Sequence, residues 1–187
     1  MSEIILGVTG SIAAYKAAEL VRMMVKAGHG VSVVMTRGAA EFVTPLTFQT
    51  LSRRPVATGL FNPVATWEPR HVSLAQGADV LVVAPCTANV IAKLAHGIAD
   101  DALTATALAC RAPLVVAPAM NDGMFANPAT QANLATLRER GAIIVEPAEG
   151  ELACGTRGTG RLAPLEDILS AVEAAIAGNA AKKENAQ

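Results

Sequence analysis

Short apolar runs that alternate with helical patterns constrain this chain more than any other feature of its sequence. Each run has the length of a buried strand and is bounded by glycine, proline or polar residues. Because helical segments separate the runs, the pattern predicts right-handed βαβ units and a doubly wound parallel sheet covered on both faces, a three-layer α/β/α fold. The predicted strands are Glu3–Val8, Val31–Met35, Asp79–Pro85, Leu114–Pro118 and Ile143–Val145.

The 187 residues are enough for one domain with a sizeable core, and the sequence contains no internal repeat or sign of a second domain. From Gly178 the composition turns polar and small. We therefore predict one domain over residues 1–177 and a disordered tail over 178–187. The predicted helices are Ala13–Ala27, Thr87–Ala95, Asp101–Cys110, Pro128–Arg140 and Leu165–Ala177.

The composition excludes several classes of function. Hydrophobic residues make up 52% of the chain, charged residues 17%, and the net charge is −1, which gives no electrostatic footprint for nucleic acid or an anionic membrane. So few charges leave little solvated surface, and we expect apolar surface to be buried between subunits. No secretory signal or membrane-spanning run is visible, so a cytoplasmic protein is predicted.

Taken one at a time, the cysteines and histidines do not indicate a disulfide, a metal site or a catalytic role. The three cysteines are too irregularly spaced for a disulfide framework or a zinc site, and no metal is predicted. Cys86 and Cys110 lie in or beside apolar segments and are interpreted as core thiols. His29 and His96 adjoin turns as surface or capping residues, and His71, which opens a short helical segment, is on this pattern alone a structural residue.

A glycine turn after the first predicted strand is the first candidate site. Gly10 and Ser11 run directly into a helix, with Ser11 as its predicted N-cap, so that unpaired N–H groups and the positive helix end suit a phosphate. The dinucleotide pattern is not matched, because Gly7, Gly10 and Ala13 have the wrong spacing and no acidic residue follows the second strand. Two interpretations of this turn stay open: it binds a mononucleotide or another phosphorylated ligand, or it binds no ligand.

Two further strand ends carry polar residues where ligands collect in parallel sheets. Thr87 and Asn89 follow the third predicted strand and could either cap a helix or hydrogen-bond a planar heterocycle. Met120 and Asn121 follow the fourth, where a methionine adapts to a ligand and an amide both donates and accepts. The alternative for this second stretch is a packed loop.

The segment Glu146–Ala163 contains several glycines and no periodicity, which is typical of a lid or a binding loop. It includes Cys154, with Arg157 and Arg161 nearby. Arginines close to the thiol would favour its thiolate and suit it to proton transfer.

Taken together, these stretches resemble the flavin-dependent cysteine decarboxylases over nearly all of Glu3–Ala177. This resemblance implies a Rossmann-like flavoprotein fold, and FMN bound at a subunit interface of a homotrimer that often assembles further into a dodecamer. The motifs that carry it are GSIAAYK at Gly10–Lys16, RHVSLA around His71, APCTANVIAKLAHGIADDALT at Ala84–Thr104, PAMNDGMFANPATQ at Pro118–Gln131 and GELACGTRGTGR at Gly150–Arg161.

The resemblance also implies roles for individual residues. His71 would be the catalytic base and Cys154 the proton donor of the reduction step. The implied cofactor-binding residues are Gly10, Ser11, Ile12, Thr36, Thr87, Ala88, Asn89 and Ala119. The implied substrate-binding residues are Met120, Asn121, Ala153 and Gly155. The sequence departs from the family at Phe125, where a tryptophan is usual, and at Val90, where a threonine is usual.

The activity implied by the resemblance is FMN-dependent decarboxylation of the small molecule phosphopantothenoylcysteine to phosphopantetheine in coenzyme A biosynthesis. Oxidation of the thiol-bearing carbon to a thioaldehyde creates an electron sink, CO2 leaves, and the enethiolate is reduced again. Two alternatives stay open: a peptidyl-cysteine decarboxylase acting on a lantibiotic precursor, and a flavin prenyltransferase. A non-catalytic regulator that binds a protein phosphatase is disfavoured, because such relatives usually carry acidic tails or inserts.

Overall fold

The computed structural model describes residues 1–60, 70–151, 155 and 157–184. Helices and strands alternate through most of these ranges. The strands are β1 (Glu3–Val8), β2 (Gly30–Met35), β3 (Val80–Cys86), β4 (Leu114–Pro118), β5 (Ile143–Ile144), β6 (Ala148–Glu151) and β7 (Arg157–Arg161). The helices are α1 (Ala14–Lys26), α2 (Arg37–Ala40), α3 (Pro45–Ser52), α4 (Arg70–Gly77), α5 (Ala88–His96), α6 (Ala102–Ala109), α7 (Asp122–Ala126), α8 (Pro128–Glu139) and α9 (Leu165–Glu184).

Among the described residues, the main sheet has five parallel strands in the order β2-β1-β3-β4-β5. The predicted doubly wound α/β/α fold is confirmed. The chain runs outward from β1 to β2 on one side and from β3 to β5 on the other, so the strand order reverses between β1 and β3. In such sheets the crevice at the carboxyl ends beside this reversal is where ligands bind.

The core lies on both faces of this sheet because successive side chains of a strand point to opposite sides. Ile4 and Leu6 pack into the layer that contains α1 and α9, whereas Ile5 packs into the layer that contains α5, α6 and α8. Gly7 makes room for the second layer, since a Cβ there would lie 2.5 Å from Cδ1 of Leu103. Within the described ranges, no helix combines the length and the apolar character needed to cross a membrane.

The last helix is longer than the sequence pattern predicts. It continues to Glu184, so the prediction of a disordered tail is wrong for residues 178–184, while residues 185–187 lie outside the described ones. Alanine, lysine and glutamate favour helix and outweigh the single Gly178. The Asn179 side chain also anchors this part, because its Nδ2 donates a 3.0 Å hydrogen bond to the backbone oxygen of Asp79.

The prediction of an irregular segment over Glu146–Ala163 is also wrong. Its described residues form an antiparallel pair, here called the β6–β7 ribbon, in which Gly150 pairs with Gly158 and Glu151 with Arg157. Because glycine is a poor strand former, the sequence of this segment does not show the alternation typical of a strand. The glycines are required by close packing instead: a Cβ on Gly158 would lie 2.7 Å from Cβ of Asp122 at the start of α7.

Candidate active site

The hydroxyl of Thr9 joins the carboxyl ends of β1 and β3. Thr9 is fully buried; its Oγ1 donates to the carbonyl oxygen of Pro85 at 2.7 Å and accepts from the N–H of Thr87 at 3.0 Å. A buried hydroxyl that both donates and accepts leaves neither backbone group unsatisfied. This pair of bonds fixes the two loops that leave β1 and β3 relative to each other.

The glycine turn after β1 lies against the start of α2. A Cβ on Gly10 would lie 3.0 Å from Cα of Gly38, so the turn and the start of α2 approach closely and a side chain at Gly10 would require the backbone to shift. Helix α1 begins only at Ala14, with Ala13 as its N-cap residue, so the prediction that Ser11 is the N-cap is wrong. The Ser11 hydroxyl accepts from the N–H of Ala13 at 3.3 Å instead, because a turn over residues 11–13 precedes the helix.

Thr36 and Thr87 each cap the helix that follows their strand. Thr36 Oγ1 accepts from the N–H of Ala39 at 3.3 Å, and Thr87 Oγ1 accepts from the N–H of Val90 at 3.4 Å. For Thr87 this is the simpler of the two roles that the sequence left open. Its backbone and side chain still border the space above β1 and β3.

The loop after β4 connects β3 to the β6–β7 ribbon. The N–H of Ala119 donates to the oxygen of Cys86 at 3.0 Å, and the N–H of Met120 donates to the oxygen of Gly160 at 2.9 Å. Asn121 then caps α7, because its Oδ1 accepts from the N–H of Gly123 at 2.9 Å. These bonds hold the β4 loop between the sheet and the ribbon.

A cavity of about 470 Å³ opens where these loops meet. It lies at the edge of the sheet where the sequence predicts ligand binding, and its walls come from α1, the β3 and β4 loops and the ribbon. Seven of the predicted cofactor- and substrate-binding residues line it, namely Gly10, Ser11, Ile12, Thr87, Ala119, Met120 and Asn121.

The other predicted site residues that the structure describes do not line the cavity. Thr36 is buried as a helix cap, and Ala88 and Asn89 lie in the first turn of α5. His71 is half-buried in the first turn of α4, and Gly155 is exposed with a φ of +81°, a conformation that suits glycine. The predictions for Ala153 and Cys154 fall outside the described residues.

The sequence reasoning missed several residues of the wall. Three lie at the start of α1, counting its N-cap residue, one lies in α7, and four lie on or beside the ribbon. Strand and helix spacing does not show which side chains of a turn face a ligand, so only the three-dimensional arrangement identifies them. They are Ala13, Tyr15, Lys16, Met124, Glu151, Gly160, Arg161 and Leu162.

The two described cysteines behave as core thiols, as predicted. Cys86 is fully buried, and burial raises the pKa of its thiol well above the ordinary range. Burial likewise raises the pKa of Cys110, which is half-buried. A raised pKa keeps both groups protonated at neutral pH and unsuited to nucleophilic or proton-transfer work.

Residues 1–177 match the Flavoprotein family. The chain belongs to the flavoprotein family. This match, together with the relatives below, confirms the resemblance found in the motifs. The matched range also coincides with the domain predicted from the sequence, although α9 extends beyond it.

The relatives of this flavoprotein include coenzyme A biosynthesis bifunctional proteins. It is 51% identical over 165 residues to the coenzyme A biosynthesis bifunctional protein CoaBC of Vibrio cholerae, covering 88% of this chain and 41% of that protein. The chain therefore spans about two fifths of the length of the curated relatives it matches.

Two solved structures share the whole fold. The FMN-dependent cysteine decarboxylase SpaF superposes with a TM-score of 0.83 and 35% identity, covering 96% of this chain and 98% of SpaF. A variant of PPC decarboxylase complexed with pantothenoylaminoethenethiol gives a TM-score of 0.81 and 32% identity, covering 92% of this chain and 96% of that one.

Proposed function

We propose that this flavoprotein binds FMN and decarboxylates phosphopantothenoylcysteine to phosphopantetheine, a carboxy-lyase step of coenzyme A biosynthesis. The observation that carries the proposal is the cavity, in which the β1, β3 and β4 loops bring Gly10, Ser11, Thr87, Ala119 and Asn121 together. Relatives of about 50% identity are coenzyme A biosynthesis proteins, which favours this substrate over others in the family.

The residues of the cavity fit FMN. Gly10 lines the cavity just before the turn that precedes α1 and has no side chain that would keep a phosphate from the backbone there. Ile12, Tyr15 and Met124 are 56%, 60% and 50% exposed on or beside the wall, as apolar surface that a ring system would cover. When bound, FMN would supply a two-electron oxidation of the substrate and the later two-electron reduction. The oxidised substrate can accept the electron pair that is left behind when CO2 departs.

The chain's own groups bind the substrate and move protons. Asn121 is held by the N–H of Gly123, which orients its amide towards a substrate carboxylate or amide at the cavity wall. His71 is the base that takes a proton during oxidation, and Cys154 delivers a proton to the substrate carbon during reduction. Ala153 and Gly155 flank this cysteine and contact the substrate.

His71 is absent from the cavity wall of a single chain, which agrees with a site shared between subunits. We propose that the protein is a homotrimer with FMN at the subunit interface, and that trimers assemble further into a dodecamer. Large apolar side chains exposed on this chain would be covered in such an assembly. Examples outside the cavity are Phe42, Leu46, Ile98 and Leu108.

A peptidyl-cysteine substrate is the second candidate. It stays a candidate because SpaF, an FMN-dependent cysteine decarboxylase, is as close in fold as the PPC decarboxylase variant is. The two substrates differ in what lies beyond the cysteine, a phosphorylated pantothenoyl group in one and a peptide chain in the other. Competition between them therefore separates the two activities.

The test is to supply purified protein and FMN with phosphopantothenoylcysteine, with a peptide ending in cysteine, and with both together, and to analyse the products by mass. The proposal expects loss of CO2 from phosphopantothenoylcysteine with phosphopantetheine as the product, and preference for it in the mixture. Preferred turnover of the peptide would assign the second candidate. A protein that takes up no FMN, or that turns over neither compound, would contradict both.

A further inference from the structure

Two positively charged side chains lie on the cavity wall; the sequence predicts Arg161 only as a neighbour of Cys154 and assigns no role to Lys16. Lys16 is half-buried on α1, five residues after Ser11, and Arg161 is the last residue of β7. Neither forms an ion pair or a side-chain hydrogen bond with any residue that the structure describes. Among the other described cations, Arg54 and Lys93 are paired with carboxylates, whereas Lys26 and Arg157 have no ion pair within the described residues.

One carboxylate, that of Glu151, shares the wall with these two cations. It lies opposite Arg157 in the β6–β7 ribbon and forms no ion pair with Lys16 or Arg161 within the described ranges. The charged groups of the wall therefore sum to one net positive charge. Two unpaired cations facing one cavity attract an anion and repel a second cation.

Arg161 is exposed, and its side chain lies across the neighbouring strand of the ribbon. Its guanidinium crosses Gly150 on the neighbouring strand, where a Cβ would lie 3.2 Å from Nη1. The preceding residue, Gly160, accepts the hydrogen bond of Met120, so Arg161 stands next to the loop that carries Asn121. A guanidinium beside the substrate loop presents several planar donors to an anion bound in the cavity.

We propose that Arg161, with Lys16 as the second cation, forms the subsite for the phosphate of a phosphorylated cysteine substrate. This inference rests on the proposed function and names the residue that makes the enzyme prefer a phosphorylated substrate. A phosphate accepts bidentate hydrogen bonds from a guanidinium, with the ammonium group as an additional point charge. The turn at Gly10 and Ser11 remains for the other phosphate, that of FMN.

The test compares kcat/KM for phosphopantothenoylcysteine with kcat/KM for pantothenoylcysteine, which is the same compound without its phosphate. We expect Arg161→Gln to lower the first value about tenfold or more, the change that corresponds to losing a hydrogen bond between charged groups. The value for pantothenoylcysteine should stay within about twofold, because that compound lacks the phosphate that a charged pair would bind. Lys16→Gln should act in the same direction, and Arg161→Lys should retain part of the preference.

Matched controls are Arg157→Gln, on the same strand but off the cavity wall, and Lys26→Gln, at the far end of α1. Both should keep the wild-type ratio of the two kcat/KM values. FMN content is measured in every variant from the absorbance of the gel-filtered protein.

The possible failures are distinguishable. Equal loss with both substrates would overturn the subsite and assign Arg161 to the carboxylate that the two compounds share. Loss of bound FMN would assign the cations to the cofactor's phosphate, and an unchanged ratio would remove them from recognition altogether. If the wild-type protein decarboxylates neither compound, it is the proposed function that fails.

Discussion

The carbonyl oxygen of Gly160 accepts a 2.9 Å hydrogen bond from the backbone N–H of Met120. This bond joins the second strand of the β6–β7 ribbon to the loop that follows β4. Residues 152–154, which include Cys154, lie between the two strands of the ribbon in sequence. The Gly160–Met120 contact therefore fixes the base of the segment that carries the proposed proton donor relative to Asn121.

Replacing Gly160 by alanine should break this connection. The added Cβ would collide with the carbonyl oxygen of Met120, and backbone cannot move aside as the end of a side chain can. We expect the unfolding free energy to fall by about 1–3 kcal/mol, the usual cost of overpacking, and turnover to fall while FMN stays bound. Gly178→Ala is the control, because nothing lies within 4 Å of its Cβ. Full activity in Gly160→Ala would contradict the anchoring role.

Replacing Thr9 by valine should destabilise the fold and weaken FMN binding. Valine keeps the shape but leaves the oxygen of Pro85 and the N–H of Thr87 without their partner. Each unsatisfied buried group costs about 1–3 kcal/mol. Thr9→Ser is the matched control, since it retains the hydroxyl and loses only a methyl group, worth about 0.8 kcal/mol. Urea unfolding and FMN titration measure both effects, and equal behaviour of the two variants would refute the role of the hydroxyl.

The sequence predicts the sheet well because its strands are buried on both faces and read as continuous apolar runs. Val80–Cys86 is buried at every position, and the prediction of this strand is accurate to one residue at each end. The β6–β7 ribbon gave no such signal, because its strands are short, half-exposed and rich in glycine. Its glycines are there for close packing against Met120 and Asp122, and only the folded arrangement reveals that requirement.

The residues of the candidate site also fall into two groups, those that the sequence predicts and those that only the structure identifies. Gly10, Ser11 and Asn121 were predicted because turn residues at strand ends carry a chemical signature. Lys16 and Arg161 were not, because a cation on a helix or a strand is ordinarily solvated. What distinguishes them is that they lie on one cavity without a described carboxylate partner. That is a relation between distant parts of the chain, which no local pattern contains.

Replacing His71 by asparagine should abolish CO2 release while FMN remains bound. Asparagine retains hydrogen bonding but cannot take up a proton, and a general base contributes about 10²–10⁴-fold to a rate. His96→Asn is the matched control, because His96 is exposed and hydrogen-bonds Asn133 on α8 at 3.1 Å. Labelled CO2 measures the effect, and undiminished release from His71→Asn would return this histidine to a structural role.

Replacing Cys154 by serine should separate the two halves of the reaction. In the proposed mechanism, decarboxylation precedes the step in which Cys154 would donate a proton, so CO2 should still be released. Because a hydroxyl is a far weaker acid than a thiol, the product should accumulate as an oxidised enethiol instead of the saturated thiol. Cys110→Ser, which changes a half-buried thiol outside the cavity wall, should give the normal product. Mass analysis distinguishes the two products, and normal product from Cys154→Ser would exclude this cysteine from the mechanism.

The ion pair between Glu3 and Arg54 should give the protein part of its resistance to acid. Both Glu3 oxygens accept from the Arg54 guanidinium, and this hydrogen bonding lowers the pKa of Glu3. A lowered pKa means that the stabilisation is fully present above the ordinary glutamate pKa of about 4.3 and is lost as the pH falls through the lower, folded-state value.

The side chains of Glu3 and Arg54 are 41% and 34% exposed, so solvent screening limits the effect to less than about 1 kcal/mol. We expect Glu3→Gln to lower the unfolding free energy at pH 7 and to match the wild type once the pH lies below the folded-state pKa of Glu3, where Glu3 is protonated in both states. Glu19→Gln, which removes a more exposed pair with Arg22, should change the unfolding free energy less. Urea unfolding at a series of pH values measures the difference, and a difference that grows towards low pH would contradict the assignment.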